Sequence, residues 1–156
     1  MHTEYTNIRK KINLVYYCLY VLYVVLVAVF GFLYKPAEHN LVLDPLSQTG
    51  QIVSYIVIFY ILISVPGALW LFKKKMKSVS EMENLILREK TYLRYALLRV
   101  SVIGVGALLA IPAFYLLGGY KTMLWCAGIA IIAQYFCKPT DRKIYLEMNN
   151  KTEDDL

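Results

Sequence analysis

The chain reads as an all-α membrane protein: a four-transmembrane-helix bundle, N-in/C-in, with a cytoplasmic amphipathic helical extension before the third span. Three observations predict this. Four apolar runs lack Asp, Glu, Lys, Arg and His in their centres, and each approaches the ~20 residues an α-helix needs to cross ~30 Å of hydrocarbon. A composition of 58% hydrophobic and 18% charged residues over 156 positions is too apolar for a soluble domain of this size. Finally, 15 of the 17 basic residues lie before the first span, from Lys73 through Arg99, or from Lys138 onward, leaving only Lys35 and Lys121 opposite. The positive-inside rule then puts both termini in the cytoplasm. It also explains the net charge of +6 without a nucleic-acid partner.

The first span covers residues ~12–34. Arg9, Lys10 and Lys11 precede it as in a signal peptide, but the apolar stretch is too long for one, and bulky residues follow Gly31 where a cleavage site needs small ones. Tyr16, Tyr20 and Tyr23 recur at i, i+4 and i+7 and so share one helical face. A phenol in hydrocarbon needs a hydrogen-bond partner. This face is expected to meet another helix or a lipid headgroup, with a quinone or isoprenoid lipid as the sharper alternative. In the following loop Glu38, His39 and Asp44 are a weak cation set, and a solvated loop is the expectation. Asp44-Pro45 there is read as the start of the second helix.

The second span covers residues ~51–72. Pro66-Gly67 predicts a kink, with Ser64 bonding back to the freed carbonyls. Trp70 is an interfacial anchor, and Lys73, Lys74, Lys75 and Lys77 beyond it face anionic lipid headgroups. Ser80-Glu81-Met82-Glu83 fits a capping box opening the cytoplasmic helix, ~81–98, whose apolar stripe includes Leu85, Ile86 and Leu93. Joined to the third span, ~99–117, this helix would run about 55 Å. A stripe reaching beyond the bilayer needs a cover: the chain's own tail, a second copy, the lipid surface or a partner.

In the third span Gly106, Ala110 and Ala113 form a small-residue groove, and Pro112 predicts a kink. The fourth span, ~120–137, answers with Ala130 and Ala133 across a tight turn at Gly118-Gly119, so the two are expected to pair as a close hairpin. Arg99 is expected to snorkel to the interface and Gln134 to bond to a neighbouring helix. The sharper alternative joins Arg99, Gln134 and the tyrosine face in a pocket for an anionic headgroup. Residues 138–156 read as a mobile charged tail ending near Glu153-Asp154-Asp155.

No nucleophile–base pair, facing carboxylates, metal-ligand spacing or phosphate-cradling glycine loop occurs, so neither enzyme activity, cofactor nor metal is expected. No histidine in a span offers a haem ligand, and no span carries a carboxylate for proton coupling. The three cysteines form no CxxC pair. The reading is a non-catalytic accessory or scaffold subunit that packs against a partner membrane protein or itself. The alternative is a small oligomeric transporter or lipid-linked-substrate flippase. A bacterial cytoplasmic (inner) membrane suits the short loops.

Overall fold

The structure, a computed structural model, describes residues 2–33 and 43–149. They form five helices: α1 (His2–Leu33), α2 (Gln48–Ser80), α3 (Leu85–Leu116), α4 (Lys121–Phe136) and α5 (Asp141–Asn149). Three are long and apolar enough to cross a membrane: Asn7–Phe32 of α1, the whole of α2 and the whole of α3. The apolar α4 has 16 residues and is shorter than those three.

Helix α3 is the centre of the bundle and packs against α1, α2 and α4. Half of its most apolar stretch, 50%, is buried inside the protein, against 11% for α1. The residue types explain the difference. Gly104, Gly106, Ala107, Ala110 and Ala113 let neighbouring backbones approach α3 on several sides, whereas α1 is rich in Val and Leu that point outward. A Cβ placed on Gly104 would come within 2.7 Å of Leu19 Cδ1, so the α1–α3 approach depends on that glycine.

The helix boundaries correct three expectations. Asp44-Pro45 does not open α2; Asp44 forms a turn, its carboxylate accepting from Leu46 N–H at 2.9 Å, and Ser47 is the N-cap, accepting from Gly50 N–H at 3.1 Å. Gly50 is required there, because a Cβ would lie 2.2 Å from the Asp44 carbonyl oxygen. The Ser80–Glu83 capping box does not form either. Val79 is buried, so α2 continues through Ser80, and Asn84 caps α3 by accepting from the N–H groups of Ile86 and Leu87. The third correction concerns the tail. Its part from Asp141 to Asn149 is a helix packed on α1 and α2, with Ile144 and Met148 buried one turn apart. Glu153, Asp154 and Asp155 lie outside the described residues.

The turn between α3 and α4 follows from two glycines. Gly118 and Gly119 have φ of 62° and 83°, and their N–H groups donate to the carbonyls of Tyr115 and Phe114. Together they close the end of α3 with the left-handed backbone that glycine adopts without strain. Pro66 and Pro112 both lie inside continuous helices. Ser64 Oγ has no partner and does not back-bond; Ser54 does, donating to the Gly50 carbonyl at 2.9 Å.

The buried side chains fall into two clusters along the bundle. One, at the end rich in Lys and Arg, joins Ile12, Phe72, Met76, Tyr92, Val100 and Ile144 from α1, α2, α3 and α5 with Cys137, which follows α4. The other, toward the Gly118-Gly119 turn, joins Tyr23, Val57, Ile61, Ala110, Leu117, Met123 and Ala130.

Candidate functional site

The tyrosine face of α1 points inward, toward α3 and α4. Tyr16 Oη donates to Tyr20 Oη at 3.3 Å, and Tyr20 Oη donates to the Ile131 carbonyl at 3.4 Å. Both are long for O–H···O bonds. The rings of Tyr16 and Tyr20 sit 4.9 Å apart and those of Tyr20 and Tyr23 5.6 Å apart, within the range of aromatic contact. Tyr23 is buried, donates to the Gly104 carbonyl at 3.1 Å, and is also bonded to the Gln134 carboxamide oxygen. A phenol has one proton, so these two acceptors share it. Gln134 is fully buried, and its Nε2 has no partner.

Beyond Tyr20 and Tyr23, away from the basic end, α1 and α4 diverge and leave an apolar groove of about 730 Å³. Val24, Val27 and Ala28 form one wall, Leu124, Trp125 and Gly128 the other, and Ile111 of α3 contributes to the lining. No charged side chain lines it. A Cβ built on Gly128 meets nothing within 4 Å.

Arg99 goes elsewhere. Instead of snorkelling outward it is buried, its side chain only 6% exposed, and pairs with Glu147 of α5 at 3.0 Å. Its guanidinium carbon stacks 3.8 Å above the Phe72 ring. Tyr92 donates to the other Glu147 oxygen at 2.6 Å. A second pair, Arg9–Asp141, ties α1 to the start of α5. Arg99 therefore stands apart from the Tyr16, Tyr20, Tyr23 and Gln134 network, and the anionic-headgroup pocket is not assembled. Sequence reasoning missed Glu147 as the partner. The signal was the i, i+4 spacing of Ile144 and Met148, which marks an apolar stripe in the tail and places Glu147 on a helix beside it.

The small residues lie at the helix contacts. A Cβ on Gly106 would sit 3.2 Å from Ile61 Cγ1 and 3.6 Å from Ala130 Cβ, placing Gly106 between α2 and α4. Ala110, Ala113 and Ala130 are buried in the same cluster, while Ala133 is partly buried against the basic-end cluster. Lys74 lies 4.9 Å from the Trp70 ring, and Lys73, Lys75 and Lys77 are exposed beside it. Among the described residues no three His, Cys, Asp or Glu side chains group as metal ligands, and Glu38 and His39 lie outside those residues. Compared with protein-family models, with curated proteins and with solved structures, the chain matches none of them.

Proposed function

We propose that the chain is a four-span integral membrane protein that acts without catalysis, as an accessory subunit docking a partner through its α2–α3 hairpin. Helix α4 is the fourth crossing in this reading. Its 16 residues give about 24 Å, and it reaches from Met123 in one buried cluster to Gln134 beside Gly104, with Cys137 in the other cluster. The concentration of Lys and Arg at one end makes that end cytoplasmic, with both termini there and anionic headgroups against Lys73, Lys74, Lys75 and Lys77. A bacterial cytoplasmic membrane is the setting we favour.

The observation that carries the partner reading is the tip of the hairpin. Helix α3 has 32 residues and is about 48 Å long, so with its Leu116 end at the far edge of ~30 Å of hydrocarbon its first turn stands roughly 18 Å past the near edge. Leu85, Ile86 and Leu87 are all exposed there, at 63%, 68% and 53%. Lipid does not reach that height. Lys77, Arg88, Lys90 and Arg94 around the tip are nearly balanced by Glu81, Glu83 and Glu89, so a partner with a partly apolar cytoplasmic surface of mixed charge fits it best.

The test is purification in mild detergent of the full chain and of Ile86→Asp, which changes only an exposed side chain. The reading expects one stoichiometric membrane protein with the parent, lost with Ile86→Asp while the thermal midpoint is unchanged. Recovery of a self-oligomer alone, or a partner indifferent to Ile86→Asp, would refute it. Accessibility labelling of single cysteines at positions 35, 78, 120 and 142 tests the topology. Positions 78 and 142 should label from the cytoplasmic side, 35 and 120 from the other.

A further inference from the structure

We infer that α5 is a strap that anionic lipid releases: a headgroup phosphate takes the place of Glu147 at Arg99 and Tyr92, and α5 passes from the bundle to the membrane surface. This rests on the membrane placement proposed above and not on the partner.

The first argument is how α5 is held. It has nine residues, fewer than the ~12–15 a helix needs to persist alone in water, so its fold depends on what it docks to. Three arginines grip it. Arg9 pairs with Asp141 at its start, Arg99 pairs with Glu147, and Arg88 donates to the Met148 carbonyl near its end. The chain has five arginines in all, so most of them serve this grip. A guanidinium binds carboxylate and phosphate oxygens through the same fork of donors, which makes phosphate a direct competitor for the acidic contacts.

The second argument is the site that Glu147 fills. Arg99 donates to one carboxylate oxygen at 3.0 Å and Tyr92 to the other at 2.6 Å, so two buried donors converge on one oxyanion. Arg99 Nε is buried and has no partner among the described residues. It is a spare donor for a further oxygen, which a phosphate has and a carboxylate lacks. The Phe72 ring against the guanidinium holds it in place whichever anion is bound.

Depth then selects the source of the phosphate. Arg99 is 17 residues before Leu116, about 25 Å along α3. With Leu116 at the far edge of ~30 Å of hydrocarbon, Arg99 lies about 5 Å inside the near edge. Its side chain leaves the helix toward the N-terminal, cytoplasmic side, which brings the guanidinium to the border of the headgroup layer. Lys138 and Arg142 are exposed beside it and gain from an anionic surface. Released, α5 is an interfacial amphipathic helix: acyl chains cover Ile144 and Met148 while Arg142 and Lys143 meet the headgroups.

Cys137 reports the release, because it is buried in the cluster that contains Ile144 and Met148. The full chain with Cys18→Ser and Cys126→Ser keeps it as the single thiol. In nanodiscs of phosphatidylcholine, whose choline neutralises its phosphate, an uncharged maleimide should label Cys137 slowly. Replacing part of that lipid by phosphatidylglycerol at constant ionic strength should raise the rate about fivefold, the factor that one basic residue gains at an anionic surface. Arg99→Met with Glu147→Leu keeps α5 docked through an apolar pair and removes both the anion site and its occupant, so its rate should stay low at every phosphatidylglycerol fraction. Inorganic phosphate added to phosphatidylcholine discs at the same ionic strength should leave the parent slow. A rise there equal to that with phosphatidylglycerol would overturn lipid as the source. A double variant that responds to phosphatidylglycerol like the parent would overturn the exchange at Arg99. A parent rate indifferent to phosphatidylglycerol, with a cysteine at position 142 still labelled from the cytoplasmic side, would overturn the strap and leave the membrane placement standing.

Discussion

At the basic end of the bundle, Phe72, Tyr92, Arg99 and Glu147 join α2, α3 and α5 through large side chains, an ion pair and a ring stack. Toward the opposite end, Gly106, Ala110, Ala113 and Ala130 join α3 to α4 with almost no side chain between the backbones. In the proposed membrane placement the contrast follows from solvent. In hydrocarbon an apolar side chain gains nothing by turning inward, so close contact and dispersion between small residues provide the attraction. Past the hydrocarbon edge water restores the hydrophobic effect, and bulky residues such as Met76, Tyr92 and Ile144 are worth burying. Arg99 sits where the two regimes meet.

The contrast breaks most sharply at Glu147. Glu147→Ala leaves the Arg99 guanidinium buried without its counter-ion, and removal of one partner from a buried pair costs ~3–5 kcal/mol. Glu147 keeps 18% of its side chain exposed, which favours the lower end, about 3 kcal/mol, for this pair. The thermal midpoint in detergent should fall, and buried Cys137 should become reactive to a maleimide as α5 lifts away. Replacing both partners, Arg99→Met with Glu147→Leu, should recover most of the loss, because an apolar pair of similar volume carries no desolvation cost. If the single variant melts like the parent, the ion pair is not what holds α5.

Gly106→Leu probes the other regime. The built Cβ is already 3.2 Å from Ile61 and 3.6 Å from Ala130, so three further carbons must push α2 or α4 away. Overpacking of this kind costs about 1–3 kcal/mol. Gly106→Ala should cost less, since it asks Ile61 Cγ1 to give by only a few tenths of an ångström. A thermal midpoint unchanged by Gly106→Leu would mean that α3 and α4 do not pack at their small faces.

The same two regimes decide what could be read from the chain. The apolar runs were legible because hydrocarbon forbids charge over a whole helix length, and few water-soluble folds bury so long a run on every face. Helix α5 was not. It has nine residues and is polar on average, and Ile144 and Met148 supply only one turn of pattern. Arg99 shows why partners are harder than elements. Its position at a span boundary suggested snorkelling, but Glu147 lies 48 residues away and enters only when α5 folds back. The helix starts failed for a local reason: Ser80 and Asn84 are both good caps, and burial of Val79 on α2 selected the later one. The tyrosine face was legible as inward because phenols need partners. The close α1–α3 approach of Leu19 to Gly104 was not, because no spacing encodes it.

The smallest expected effect lies inside the small-residue end, at Tyr23. Tyr23→Phe removes the donor to the Gly104 carbonyl and to Gln134, and leaves the Gln134 carboxamide fully buried with neither end paired. In water-soluble proteins an orphaned buried amide costs ~1–3 kcal/mol, but membrane measurements of single interhelical hydrogen bonds average nearer ~0.6 kcal/mol because the unfolded chain also finds partners. The expected loss is therefore about 1 kcal/mol by those two bounds. Gln134→Met alone should cost little, since it removes the buried amide together with the need to pair it. Combined with Tyr23→Phe it should cost less than Tyr23→Phe alone. A double variant as destabilised as the two singles added together would show that Tyr23 and Gln134 act independently, and that the polar contact between α1 and α4 does not hold the two helices at their present separation.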